Sequence, residues 1–373
     1  MRRLQRFWLV LALAGCGDDA ADERARMDAA ITCNGAAPYA ATGPYAAGVT
    51  TLDLGGVPLE VWYPAAPGDV RGRPKAKYDM RDWLPDSARQ LVPDADAPLF
   101  EMNAVRDVPA ARADRRFPLF VFSHGLGGYR MQSSFLMTHL ATWGFVVAAP
   151  EHPERGLKIL VERGTIGGDM GPQALEKAVT VLEAEDARAG GRLEGRIDFA
   201  RRVVAGHSAG GAAVLALAKK PEWTTWITYA SGGFGGNDPV SKPLLMMGGT
   251  SDGIADMDLI TKAFASQPSG KRLVALDHVG HLGFSDICAI GRDRGGVLQI
   301  ALDHGLPVPE LLQLLGTDGC RAMDRPAEQG WPVINHFTVA HARTALGLDP
   351  APVGLGGPAA ECFGGRVARL EQQ

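Results

Sequence analysis

From residue 117 onward the chain alternates continuous apolar runs with segments of helical spacing. Residues 117–122, 145–149, 202–205, 226–230, 244–247 and 272–276 are short runs rich in Val, Leu, Ile, Phe, Met and Ala. Runs of that length, apolar throughout, predict strands buried on both faces. Between them, residues 134–143, 173–189, 210–219 and 256–265 carry helical periodicity; Pro172 precedes the second and Pro221 ends the third. Upstream, 49–54 and 59–63 flank Gly55-Gly56 and predict an antiparallel hairpin. Together these give eight strands with crossover helices, hence a doubly wound, mostly parallel α/β sheet.

Two stretches break the rhythm. Residues 64–116 are dense in Pro, Asp, Arg and Ala and predict an irregular insertion with short helices. Residues 283–331 form a second insertion, with a helix expected at 309–315; a final helix at 333–346 closes the fold. The 373 residues, 46% apolar and 21% charged, suit one catalytic domain with a substantial core. A net charge of −4 without a basic stripe argues against a nucleic-acid partner.

The first residues read as an address. Arg2, Arg3 and Arg6 precede a short apolar run, and Leu13-Ala14-Gly15-Cys16 resembles a bacterial lipobox. Residues 1–16 are therefore expected to be a lipoprotein signal with Cys16 the lipidated residue, 17–47 a flexible tether, and 48–373 the catalytic domain. The expected location is a bacterial membrane, periplasm-facing or outer, or secretion. Export places the other cysteines in an oxidising compartment. Of the three pairings open to Cys33, Cys288, Cys320 and Cys362, the favoured set joins Cys288 to Cys320 across the second insertion and Cys33 to Cys362 across the chain ends.

The sharpest chemical signal is Gly206-His207-Ser208-Ala209-Gly210, a G-x-S-x-G run between an expected strand and a small-residue helix. A serine on such a turn needs small neighbours, and the following helix points its N-terminal dipole at developing negative charge. A serine hydroxyl also needs a base, and the base a partner that fixes its tautomer. The strand 244–247 runs through Gly248-Gly249 to Asp252, at the carboxyl edge of the sheet. After the 272–276 strand come His278, next to the strand end, and His281, which reaches further over the edge. His281 is the preferred base and His278 the structural one. His139, His304, His336 and His341 read as ordinary polar positions. The strand ending at Phe122 delivers Ser123-His124-Gly125-Leu126-Gly127-Gly128, whose glycines let backbone amides approach a reacting carbonyl; those of Leu126 and Ala209 form the expected oxyanion hole.

Four of these segments together resemble a known group: 122–128, Ala148-Ala149-Pro150-Glu151-His152, 206–211, and Gly280-His281-Leu282-Gly283-Phe284-Ser285-Asp286. They are similar to the α/β-hydrolase superfamily, in particular the secreted platelet-activating-factor acetylhydrolases and the related dienelactone-hydrolase-like and polyester-hydrolase esterases. The likeness spans about residues 49–286 and includes Val61-Trp62-Tyr63-Pro64. It implies a triad of Ser208, Asp252 and His281, with Leu126 and Ala209 as oxyanion amides. Two departures matter. Ala209 is smaller than the residue several relatives carry after the nucleophile, and 283–331 has no evident counterpart, so it is expected to be a disulfide-bound lid. Within it Leu311, Leu312, Leu314 and Leu315 either face a lipid or ester surface or pack onto the body as a helix stripe.

The chemistry so read is a serine carboxylic ester hydrolase working through an acyl-enzyme, as a monomer and without metal or cofactor. Substrates open to it are short-chain acyl esters, lipid esters or polyesters. A peptidase or thioesterase would use the same triad, and a non-catalytic binding protein on the same fold is the alternative of a different class.

Overall fold

A computed structural model describes residues 35–166, 172–232 and 239–373. Cys16 and Cys33, with the lipidation and the second pairing expected of them, lie outside these residues. The eight expected strands are present: β1 (Ala46–Asp53), β2 (Pro58–Ala65), β6 (Phe117–Ser123), β7 (Val146–Pro150), β8 (Ile197–His207), β9 (Thr225–Tyr229), β10 (Leu244–Gly249) and β11 (Lys271–Leu276). Two further strands extend the sheet to ten: β5 (Val105–Arg106) at one edge and β12 (Val367–Gln372) at the other. The order is β12-β11-β10-β9-β8-β6-β7-β2-β1-β5, parallel through the centre and antiparallel at β1/β2, β2/β7 and β11/β12. The expectation of eight strands was short for a physical reason. β5 has only two residues, and β12 is a half-exposed edge whose polar sequence carries no apolar run. A separate two-stranded ribbon, β3 (Lys77–Asp79) with β4 (Leu99–Glu101), sits inside the 64–116 insertion.

β6, β7, β9 and β10 are buried along their length, as their largely apolar sequences require, and β8 is buried over its last five residues. Alternate residues feed opposite faces. Phe120, Phe122, Val203 and Ala205 pack with the helices Ser134–Thr142 and Ala327–Ala345, whereas Leu119, Val121 and Val204 pack with Gln173–Ala187, Gly210–Ala218 and Met257–Ser266. Each such large side chain withdrawn from water contributes about 1.5–3 kcal/mol. The last long helix begins at Ala327 and not at 333, carrying Pro332 inside it. Trp331 stacks on Phe135, with ring centroids 4.6 Å apart, and anchors that extra turn to the body.

The 283–331 segment is ordered into the helices Gly296–Asp303 and Glu310–Thr317, and Cys288 is bonded to Cys320 as expected. Its leucines divide. Leu312 and Leu315 turn inward, while Leu311 and Leu314 remain exposed. Three of the histidines read as ordinary polar positions prove to be buried and hydrogen-bonded: His139 to the Tyr39 carbonyl, His336 to the Gly354 carbonyl and His341 to the Thr225 hydroxyl. Helical periodicity does not reveal a buried polar residue whose partner lies outside its own helix.

Candidate active site

Parallel strands end together, so the loops after β6, β8, β10 and β11 converge at one rim. Ser208 follows β8 directly. It is one of four described non-glycine residues with positive φ, at +53°. Its amide donates to the Tyr229 carbonyl at 3.0 Å, and the Ser231 hydroxyl donates to its carbonyl at 2.7 Å. A left-handed serine is a strained conformation that surrounding contacts must hold. The flanking glycines are steric requirements. A Cβ on Gly206 would stand 2.4 Å from the Gly210 carbonyl oxygen, and one on Gly210 would stand 2.2 Å from that of Ser123.

Asp252 lies three residues past β10, in a turn closed by its amide bonding to the Gly249 carbonyl at 3.2 Å. Its carboxylate accepts the amides of Ile254 and Ala255 at 2.8 and 2.7 Å. The Nδ1–H of His281 donates to both its oxygens, at 3.0 and 3.2 Å. That bond leaves Nε2 as the ring's basic nitrogen. His278 instead bonds the neighbouring Asp277 at 2.7 Å, with its side chain 65% exposed. Of the two candidate bases, only His281 meets the acid.

The glycine loop after β6 presses on Ser208: a Cβ on Gly125 would sit 2.9 Å from that of the serine. Leu126, next in chain, and His281 line a shared apolar cavity of about 140 Å³, walled by Leu84, Val297, Ile300, Leu312 and Leu315 among others. Among the described residues the Ser208 hydroxyl makes no hydrogen bond to His281. Such bonds are commonly long in a resting site and tighten with substrate. Also among the described residues, no group of three or more His, Cys, Asp and Glu side chains converges as metal ligands would.

Comparison with solved structures matches this architecture to a ferulic acid esterase from Streptomyces cinnamoneus, with a TM-score of 0.57 over 83% of this chain and 92% of that one, at 23% identity. The chain has the α/β-hydrolase fold. A family described as platelet-activating factor acetylhydrolase, isoform II, matches residues 99–159. That stretch holds β6, the glycine loop and β7 through His152 of the hydrolase fold. Ser208, Asp252 and His281 lie beyond it.

Four residues to which sequence reasoning gave no role support the candidate site. His207 donates from Nε2 to the His281 carbonyl at 3.0 Å, and its Nδ1 accepts from the Gln132 amide at 3.1 Å. Burial, with the nearby His281 and His124 rings, lowers its pKa to about 3, so it is a neutral strut between nucleophile and base loops. Arg155 is fully buried and donates to the Ser123 hydroxyl at 2.7 Å and to the His124 carbonyl at 3.1 Å, while its own carbonyl accepts from Gly127 at 2.9 Å. It holds the glycine loop from beneath. Asp286 accepts from the Ser134 amide and hydroxyl, the Phe135 amide and the Tyr78 hydroxyl. The Phe-Ser-Asp run draws attention to Asp286 as part of a resemblance, without giving it this helix-capping role. The fourth, Asp318, has no local signal in the sequence.

Proposed function

We propose that this chain is a serine carboxylic ester hydrolase acting through an acyl-enzyme. The observation that carries the reading is the Asp252–His281 hydrogen bond at the same sheet rim as a serine with φ of +53°. In this reading His281 takes the Ser208 proton as the hydroxyl oxygen attacks the ester carbonyl. Asp252 fixes the ring tautomer and stabilises the imidazolium. The Leu126 and Ala209 amides receive the negative charge of the tetrahedral intermediate, each donor contributing on the order of 3 kcal/mol. The intermediate collapses as His281 protonates the leaving alcohol. Water, deprotonated by the same ring, then hydrolyses the acyl-enzyme and frees the acid.

The lining narrows the substrate. An apolar cavity of about 140 Å³ is the size that takes up a benzene-like molecule. The hydrocarbon part of the preferred ester is therefore compact, of roughly six to eight carbons. Esters are favoured over amides by the acetylhydrolase match at 99–159.

A fluorophosphonate probe tests the chemistry: it labels the native protein and spares Ser208→Ala. A folded protein that the probe leaves untouched sinks the reading in favour of a binding role. A p-nitrophenyl ester series then tests the cavity, with turnover greatest at middle chain lengths and falling for long ones.

Export followed by lipidation at Cys16, a monomeric state, and a second disulfide between Cys33 and Cys362 complete the proposal. The Cys288–Cys320 bond favours an oxidising compartment. Replacing Cys16 by Ala should move the protein out of the membrane fraction.

A further inference from the structure

Asp318 belongs to the 283–331 segment, two residues before the disulfide-bonded Cys320, and is only 5% exposed. Its Oδ1 accepts the backbone N–H of His281 at 2.7 Å, and its Oδ2 accepts that of Gly253 at 2.9 Å. Its own carbonyl accepts the Leu282 amide at 2.8 Å. One carboxylate thus ties the base to the residue that follows the acid. Both loops make room for it: a Cβ on Gly280 would lie 2.6 Å from Oδ1, and one on Gly253 would lie 3.0 Å from Oδ2.

We propose that Asp318 is a positioning residue that holds the Asp252 and His281 loops in register, acting through their backbone amides. The inference rests on the serine-hydrolase reading of Ser208, Asp252 and His281. Bonds to an ionised acceptor are stronger than neutral ones, and removing the acceptor strands the buried N–H of His281 and releases that of Gly253. The loops are then free to drift, and a displacement of about 1 Å in a reacting group costs on the order of 100-fold in rate. Behind Asp318, Arg321 stands at 3.7 Å while bonding Asp324 at 2.8 Å.

The test compares Asp318→Ala and Asp318→Asn in the full chain, by p-nitrophenyl ester kinetics, fluorophosphonate labelling rate and urea unfolding. Asp318→Ala is expected to lower kcat about 100-fold while KM moves less than about threefold. Asp318→Asn keeps the shape but can accept only one of the two N–H bonds, so an intermediate loss of about tenfold is expected. The His281 and Gly253 backbone amide resonances, followed by NMR, should move upfield in Asp318→Asn as bonds to the carboxylate are lost or weakened, a readout independent of turnover. Wild-type kcat in Asp318→Asn, with both amide resonances unmoved, overturns the proposal. So does a loss in Asp318→Ala that the unfolded fraction accounts for, while Asp318→Asn runs at the wild-type rate. A wild type that takes no probe and cleaves no ester ends the serine-hydrolase reading instead, and the two amide resonances then decide the Asp318 role by themselves.

Discussion

The rim of the sheet and the 283–331 segment meet around His281, yet they are built by opposite means. At the rim, the Ser208 turn is dictated by neighbours in sequence: β8 delivers the serine, and Gly206 and Gly210 leave no room for a side chain. Across the boundary, Asp318, the Cys288–Cys320 bond and the cavity-facing Leu312 and Leu315 act at long range on loops they did not grow from. A site made by local constraint announces itself as a motif. One made by distant contacts is written in single residues without a pattern.

Substitution at the rim should produce the largest effect. Ser208→Ala removes the group that the proposed mechanism acylates, and kcat is expected to fall by about 10⁴–10⁶-fold with the fold intact. Ester turnover and circular dichroism on the same sample check it. A residual rate within tenfold of wild type would move the chemistry away from the rim altogether.

Acid offers a second lever on the rim. The folded pKa of His207 is depressed, from an ordinary 6.5 to about 3, chiefly by burial, so the folded state binds this proton more weakly than the unfolded chain does. Its contribution is complete above pH 6.5 and is lost as pH falls below that value toward 3. His152 and His341, lowered to about 3, and His139 and His336, lowered to about 4, act in the same direction. Urea midpoints measured from pH 7 to pH 4 should therefore fall steadily. His207→Asn should remove about one proton from that dependence, or about 1.4 kcal/mol per pH unit. A variant with the wild-type slope would show that His207 is already charged in the fold.

The contrast explains what could be read in advance. The central strands were legible because a strand buried on both faces must be apolar along its length, as 117–122 and 244–247 are. Ser208 and the glycine loop were legible because steric demand fixes residue type at fixed spacing. Choosing His281 over His278 required only that one reach further past the strand end, and the structure turns His278 outward. Asp318 was illegible, since an aspartate in an irregular segment looks the same whether it meets water or two backbone amides. β12 was missed because an edge strand needs no apolar face. Pro332, inside the last helix, misplaced its start, because proline ordinarily marks a helix boundary.

Across the insertion, effects should fall on stability first. Cys288 and Cys320 close a loop of 32 residues, and the paired change to serine is expected to cost about 3–4 kcal/mol through the freer unfolded chain. Urea unfolding measures it. If the bond also steadies Asp318, kcat under folding conditions drops more than the unfolded fraction explains. An unchanged kcat in the folded protein would confine the disulfide to stability and separate it from the base loop.

The smallest effect is expected where the insertion touches substrate and not the triad. Val308 is half-buried and lines the cavity from the stretch between the two insertion helices. Val308→Phe adds volume there without replacing a fully buried core residue. Hydrocarbon pockets discriminate by about 1–3 kcal/mol per methylene-sized change, or 10–200-fold. Octanoyl ester turnover should thus fall by about tenfold or more while acetyl ester turnover holds. Equal losses on both esters would mean that the added ring disturbs Leu126 or His281, and that the insertion is coupled to the rim more tightly than its contacts imply. A loss on the long ester alone would give the two regions separate roles, with the rim breaking the bond and the insertion measuring what is attached to it.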